Sequence, residues 1–272
     1  MSEQEYIKQI KNLTNPTFQQ IRHIAYNSIS HLSEEERNKL YIQLERGVKI
    51  LETHEELCQY LWSFGNMHEK KIHFVVDKLP PELFERDYDI IDWGCGQGIA
   101  TICFFDYLKE KEFPISVNNV KLIEPGKKAL ERAKLHIGKY ISENKIQTIN
   151  KYFEQVEVNE IKTERKPTIH FFSNILDIQA IDLKELAEKL SNSLTTDNYI
   201  VTVGPTNATN KRIDWFYEKY FKNTKLIFDL EDRHFYDKWT LKAKVYKLEY
   251  NEEGNLIPIE FYPAVQFHSA YQ

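Results

Sequence analysis

Apolar positions in the first eighty residues recur at three- and four-residue spacing, which predicts helices that each bury one face. Ser33 followed by Glu36, and Thr53 followed by Glu56, fit capping boxes, in which the hydroxyl accepts from an unpaired backbone N–H and the glutamate reaches back. In the helix opened by Thr53, residues Leu57, Leu61, Phe64, Ile72 and Val76 mark the buried side, and Pro80 with Pro81 ends it. Gly65 within this helix predicts a kink or a close packing contact. From about Asp87 short apolar runs alternate with longer helical stretches, the pattern of a sheet with covering helices. Strands are predicted at 88–92, 119–123, 147–150, 168–172, 198–203, 225–229 and 241–249. Helices near 98–110, 126–142 and 182–193 are long enough for right-handed crossovers between parallel strands, whereas the last two strands lack such a helix and predict an antiparallel finish.

Composition narrows the class. A chain of 272 residues, 42% hydrophobic and 28% charged, is large enough to bury a substantial core. No run approaches the roughly 18 apolar residues of a membrane span. The N-terminus has neither an apolar core nor a cleavage site, so a soluble, cytoplasmic protein is expected, with no membrane partner. Cys58, Cys95 and Cys103 are too scattered for a disulfide framework or a zinc cluster, and no metal is expected. A net charge of -5 argues against an extensive nonspecific nucleic-acid surface, leaving room for a local basic patch or a protein partner. The basic stretch with Lys127, Lys128, Arg132, Lys134 and Lys139 reads as a solvated helix face. The sequons at Asn12 and Asn207 match a pattern common by chance. Residues 261–267 read as an extended edge segment, which Pro263 would suit.

The most informative segment is Asp92-Trp93-Gly94-Cys95-Gly96-Gln97-Gly98, placed between an apolar strand and an apolar helix. Glycines there let the backbone turn sharply and approach a ligand. The dinucleotide fingerprint needs a glycine where this chain has Ile99, which disfavours a nicotinamide enzyme. The pattern is instead G-x-G-x-G with an acid two residues ahead, and the next strand ends in Glu124 within KLIEPGKKALERAK.

This combination resembles motif I of the class I S-adenosylmethionine-dependent methyltransferases, over about 88–249. The resemblance implies an α/β fold: a seven-stranded, mostly parallel, Rossmann-like sheet with helices on both faces, residues 1–80 forming a helical cap and 81–272 the methyltransferase domain. It implies S-adenosylmethionine as cofactor. Gly94, Gly96 and Gly98, with Cys95 in the same loop, would lie against its methionine portion, and Asp92 would hold its amino group, often through water. Glu124 would accept from both ribose hydroxyls. Asn150 would face the adenine, and Ser173 and Asn174 would line the cofactor side of the fourth strand's end. Asp92 also suits a helix cap, Glu124 a solvated strand end and Asn150 a turn.

Methyl transfer is an in-line displacement, so the protein positions the reactants and supplies a base where the nucleophile is poorly ionised. The fourth strand ends in Ser173-Asn174-Ile175-Leu176-Asp177, without the Asn-Pro-Pro-Tyr type element of base-nitrogen methyltransferases, and the chain has no Pro-Cys dipeptide of the cytosine C5 enzymes. The stretch is similar to the Ser-Asn-Val-Leu-His of some O-methyltransferases, with Asp177 where their histidine sits. Asp177 is the catalytic candidate. An unperturbed aspartate, with a pKa of about 3.9, is a poor base unless its surroundings raise that value. It suits orientation of an acceptor amine or hydroxyl, and equally a helix cap, with Ser173 and Asn174 satisfying backbone. His170 reads as a hydrogen-bonded core histidine. Tyr60, Trp62, Met67 and His68, ahead of the glycine motif, would contact substrate if the cap covers the pocket, with core packing as the alternative.

The expected function is methyl transfer from S-adenosylmethionine to an unidentified small molecule, RNA or protein. The rival expectation is a cofactor-binding interaction module without catalysis. A looser resemblance, to the methyltransferase-like family of the mitochondrial small ribosomal subunit, implies a multi-cysteine metal site that three cysteines cannot supply.

Overall fold

Helix starts in the N-terminal region follow the capping chemistry. In a computed structural model, which describes residues 1–163, 166–193, 197–206 and 211–248, Ser33 and Thr53 each accept from the backbone N–H of Glu36 and Glu56, and both glutamates return the bond. Thr17 and Gln20 form a third box. The resulting helices are α1 (Glu3–Asn12), α2 (Phe18–Ile29), α3 (Glu34–Gln43) and α4 (His54–Val76). α4 runs through Gly65, which serves a close contact: a Cβ there would lie 2.8 Å from Cζ of the buried Phe18 on α2.

The remaining elements alternate. They are β1 (Tyr88–Trp93), α5 (Ile99–Glu110), β2 (Val117–Ile123), α6 (Lys127–Ile137), β3 (Ile146–Ile149), α7 (Val158–Ile161), β4 (Thr168–Ser173), α8 (Leu183–Ser193), β5 (Asn198–Gly204), α9 (Arg212–Tyr220), β6 (Lys225–Phe235) and β7 (Trp239–Leu248). Together they form a seven-stranded, mostly parallel, Rossmann-like sheet of order β3-β2-β1-β4-β5-β7-β6. The last two strands pair antiparallel, and β7 inserts between β5 and β6. Glu249, the end of the seventh predicted strand, lies outside the described residues, as do Asn207 and the edge segment 261–267.

Successive side chains on a strand point to opposite faces, and the core divides accordingly. Ile90, Leu122, Phe171 and Val201 join one apolar cluster with α1, α2, α4 and α5, whereas Ile91, Ile123, Phe172 and Ile200 join another with α7, α8 and α9. β1 is buried along its whole length, as expected of a parallel strand covered on both sides. The N-terminal helices therefore share one core with the sheet, and α4 packs beside α5 over β5 and β7.

Several elements differ from the sequence pattern: β2 starts at Val117, β6 runs on to Phe235 rather than ending at 229, and the short α7 has no counterpart in it. α6 stops at Ile137, with Gly138 at its C-cap, rather than continuing to 142. α9 was not predicted, although Ile213, Phe216, Tyr217 and Tyr220 have helical spacing and form its buried side. No helix among the described residues is long and apolar enough to cross a membrane.

Replacing Gly65 with valine should force Phe18 out of its packed position and destabilise the chain by about 2 kcal/mol. Urea unfolding should show the lowered midpoint; an unchanged midpoint would mean that α2 and α4 do not depend on this contact.

Candidate cofactor and acceptor site

The strand order reverses between β1 and β4, and ligands of open α/β sheets bind at the carboxyl ends of the strands beside such a reversal. Here that edge carries the 94–98 loop after β1, Glu124 after β2, Asn150 after β3 and the Ser173–Asn174 step at the end of β4.

The loop is built in left-handed backbone, with φ of +63° at Gly94 and +81° at Gly98. A Cβ at Gly94 would strike Ile175 at 2.7 Å, and one at Gly98 would strike Ile137 at 2.9 Å, so these two glycines let the loop pack inward. At Gly96 a Cβ would meet nothing within 4 Å, which leaves this backbone face open. Glu124 Oε2 accepts from the Gly96 N–H at 3.1 Å, while Oε1 accepts from the Gly126 N–H at 2.8 Å. Burial raises the Glu124 pKa, and the two N–H donors oppose that rise. Each carboxylate oxygen keeps acceptor capacity beyond its backbone bond.

Asp92 lies beneath the loop, 1% exposed, and accepts from the Thr101 hydroxyl at 2.8 Å. Burial pushes its pKa up to about 7, with the nearby Glu124 charge adding to the rise and Thr101 opposing it. Cys95 is buried, and burial drives its thiol pKa well up, which makes it a poor nucleophile. The Asn150 amide donates to the carbonyls of Glu124 and Pro125 at 2.9 and 2.8 Å, fixing the turn that carries Glu124.

Gln97, an unremarked loop position in the sequence, holds this loop to its surroundings. Its amide donates to the Leu57 carbonyl of α4 at 2.9 Å, its side-chain oxygen faces Arg132, and its carbonyl meets His136 Nδ1 at 3.0 Å. His136 Nε2 meets the Tyr6 hydroxyl of α1 at 2.8 Å, and Arg132 reaches His54 and Cys58 of α4 while lying over the Tyr6 ring. This corrects the solvated reading of the basic helix at Arg132, which is 3% exposed; Lys127 and Lys128 remain exposed. Only the alternation of buried and exposed positions along α6 hinted that Arg132 turns inward.

On the β4 side of the strand-order reversal, α4 meets the end of β4. Asn174 donates its amide to His68 Nδ1 at 2.9 Å and to the Ser173 hydroxyl at 3.2 Å, and its backbone sits at φ +57°. His68 Nε2 faces the Tyr60 hydroxyl at 3.2 Å. Burial lowers the His68 pKa to about 3, so the ring is neutral, with its proton on Nε2 as the Asn174 bond requires. Ser173 and Asn174 thus lie together with Tyr60 and His68. Trp62 does not join them: it stacks on Tyr26 at 4.2 Å and under Arg22, on the α2 side of α4. Asp177 is held by the segment that Arg212 pins through the carbonyls of Leu176 and Ile181. Burial raises the Asp177 pKa, and Lys71 and Arg212 oppose the rise. His170 lies away from this group, a buried residue between Trp93 Nε1 at 3.2 Å and Asn198 Oδ1 at 2.9 Å. Among the described residues no three His, Cys, Asp or Glu side chains are grouped to hold a metal ion.

No family model and no curated protein matches the chain. It is similar to the structure of a SAM-dependent methyltransferase from Leishmania major, at 14% identity over 76% of this chain and 82% of that one, with a TM-score of 0.48. It is also similar to the N-methyltransferase NodS from Bradyrhizobium japonicum in complex with S-adenosyl-L-homocysteine, at 6% identity over 67% and 85%, TM-score 0.45. A TehB-like SAM-dependent methyltransferase from Corynebacterium glutamicum is 13% identical over 78% and 96%, TM-score 0.43.

The raised Asp92 pKa has a consequence for stability. A carboxyl whose folded pKa exceeds its unfolded value makes the native state bind more protons between the two, so stability falls as pH rises from about 4 to about 7. Asp92→Asn keeps an acceptor for Thr101 without the charge. In urea titrations from pH 4 to pH 8 the variant should gain roughly 4 kcal/mol on the parent, accumulating below about pH 7 and levelling off above it. Parallel stability curves would overturn this account of Asp92.

Proposed function

We propose that the chain is an S-adenosylmethionine-dependent methyltransferase acting on an acceptor bound over the end of β4. The observation that carries this reading is the open backbone face at Gly96, bordered by Glu124 and underlain by Asp92 at the strand-order reversal. A loop built only to pack would have no reason to leave that face clear between a buried acid and a half-buried one.

The residues fit the cofactor's parts. The spare acceptor sites of Glu124 suit the ribose hydroxyls, and Asp92 suits the amino group. Gly94, Cys95, Gly96 and Gly98 present backbone to the methionine portion. Asn150 serves by fixing the Glu124 turn. When bound, the cofactor supplies an electrophilic methyl group on sulfur. Ser173 and Asn174 would face the junction of cofactor and acceptor, and Asp177, whose pKa is raised by burial, would orient the acceptor or accept its proton. Residues 1–80 would close the site as a cap, through Tyr60 and His68 of α4. Three buried, free cysteines suit a reducing, cytoplasmic setting. The second reading, a cofactor-binding interaction module, draws on the same loop and differs only in turnover.

Calorimetric titration with S-adenosylmethionine, S-adenosylhomocysteine and NAD tests the cofactor assignment. Micromolar binding of the first two and none of the third is expected, and Glu124→Ala should weaken it by about tenfold or more, the loss of charge-assisted hydrogen bonds. Failure of the folded chain to bind either sulfur compound would sink the proposal. Binding without methyl transfer to phenol, amine and thiol panels would favour the interaction module.

A further inference from the structure

Other lysines turned inward among the described residues have visible partners. The buried Lys244 is paired with Asp214 and Asp229, the half-buried Lys121 donates to the carbonyls of Glu160 and Lys162, and the half-buried Lys189 to those of Phe153 and Glu154. Lys71 differs. It is 1% exposed on α4, yet no hydrogen bond or close ion pair of its ammonium group is found among the described residues. The stem is buried while the ammonium, which is not among the fully enclosed polar atoms, is left without a hydrogen-bond partner among the described residues, an arrangement that suits a cation kept for a ligand.

Its surroundings are those of the acceptor side. Lys71 lies on the same face of α4 as Tyr60, Phe64 and His68, one turn beyond the histidine bonded to Asn174. The charge facing it is that of Asp177, after β4, which Arg212 of α9 faces in turn; His68, also near, is neutral. Burial lowers the Lys71 pKa to about 8, against the opposing pull of Asp177, so an appreciable share of the side chain is free amine near neutrality. Beside it stand aromatic rings: Tyr60 lies 5.1 Å from Phe64 and 5.9 Å from His68, centroid to centroid.

We propose that Lys71 is the base of the acceptor site, and that the acceptor is an aryl hydroxyl whose ring lies against Tyr60, Phe64 and His68. This rests on the methyltransferase reading above. The Lys71 amine takes the hydroxyl proton and, as ammonium, holds the resulting aryl oxide. The oxide oxygen then bonds to the methyl carbon as the carbon–sulfur bond breaks and its electron pair stays on sulfur. The ammonium releases its proton to solvent once the neutral ether has left. Asp177 steadies the ammonium and is a positioning residue in this scheme.

The test uses the full chain saturated with S-adenosylhomocysteine and 4-nitrophenol as probe, because the phenolate of this compound absorbs visible light and the phenol does not. S-adenosylhomocysteine binding is measured first, and its failure overturns the cofactor reading rather than this one. Bound 4-nitrophenol should ionise about one pH unit or more below the free compound, held as anion by Lys71. Lys71→Met should abolish that shift and, by removing a charge whose burial Asp177 offsets only in part, raise the Tm. A shift that survives in Lys71→Met, a probe bound as neutral phenol, or no probe binding to the loaded chain would each overturn the proposal. So would a lowered Tm for Lys71→Met, the mark of a structural lysine.

Discussion

The glycine loop must leave β1, turn in left-handed backbone and enter α5 while keeping one face clear, and the surrounding structure follows from that constraint. A loop so short on side chains cannot hold itself, so neighbours hold it. Glu124 fastens it from β2 through the Gly96 N–H. Gln97 fastens it from outside, to α4 through Leu57 and to α6 through His136 and Arg132. Tyr6 extends the grip to α1. The N-terminal helices are thus structural partners of the loop, and the apolar core they share with α5 and the sheet is the bulk version of the same connection.

Much of this was legible in the sequence because it is local. Capping boxes at Ser33 and Thr53, strands with clear apolar runs, the G-x-G-x-G spacing and the acid after β2 are each decided within a few residues. The contacts that complete the site are decided across the chain. Gln97 looks like a spacer until Leu57 and His136 are placed around it, and Arg132 looks solvated until α1 and α4 cover it. Lys71 sits in the charged run Glu69-Lys70-Lys71, where only Lys70 stays exposed. α9 was missed because its apolar spacing spans barely two turns, too short to stand out beside the longer helices. Asn150 reads from the sequence either as facing the adenine or as a turn residue, and its amide binds the backbone of the neighbouring turn, the commoner use of asparagine at a strand end.

The site concentrates groups that oppose folding. Asp92 and Glu124 are acids in surroundings that penalise their charge, and Lys71 is a cation in the same position. Elsewhere the chain neutralises such costs, as in the Lys242, Lys244, Asp214 and Asp229 cluster joining α9 to the hairpin of β6 and β7. The contrast lies in the partners: the α9 cluster pairs each charge with an opposite one, whereas Asp92 meets a hydroxyl and Glu124 two backbone N–H groups.

The insertion of β7 between β5 and β6 also sets how the chain is assembled. During synthesis β6 emerges with no strand beside it, because its partner is the next segment and the strand it approaches, β5, is separated from it by that same segment. Until β7 threads into place, β5 presents an unpaired edge of apolar residues, and the sheet cannot close. A chain in which β7 has not yet paired therefore exposes that edge to strand exchange with another chain.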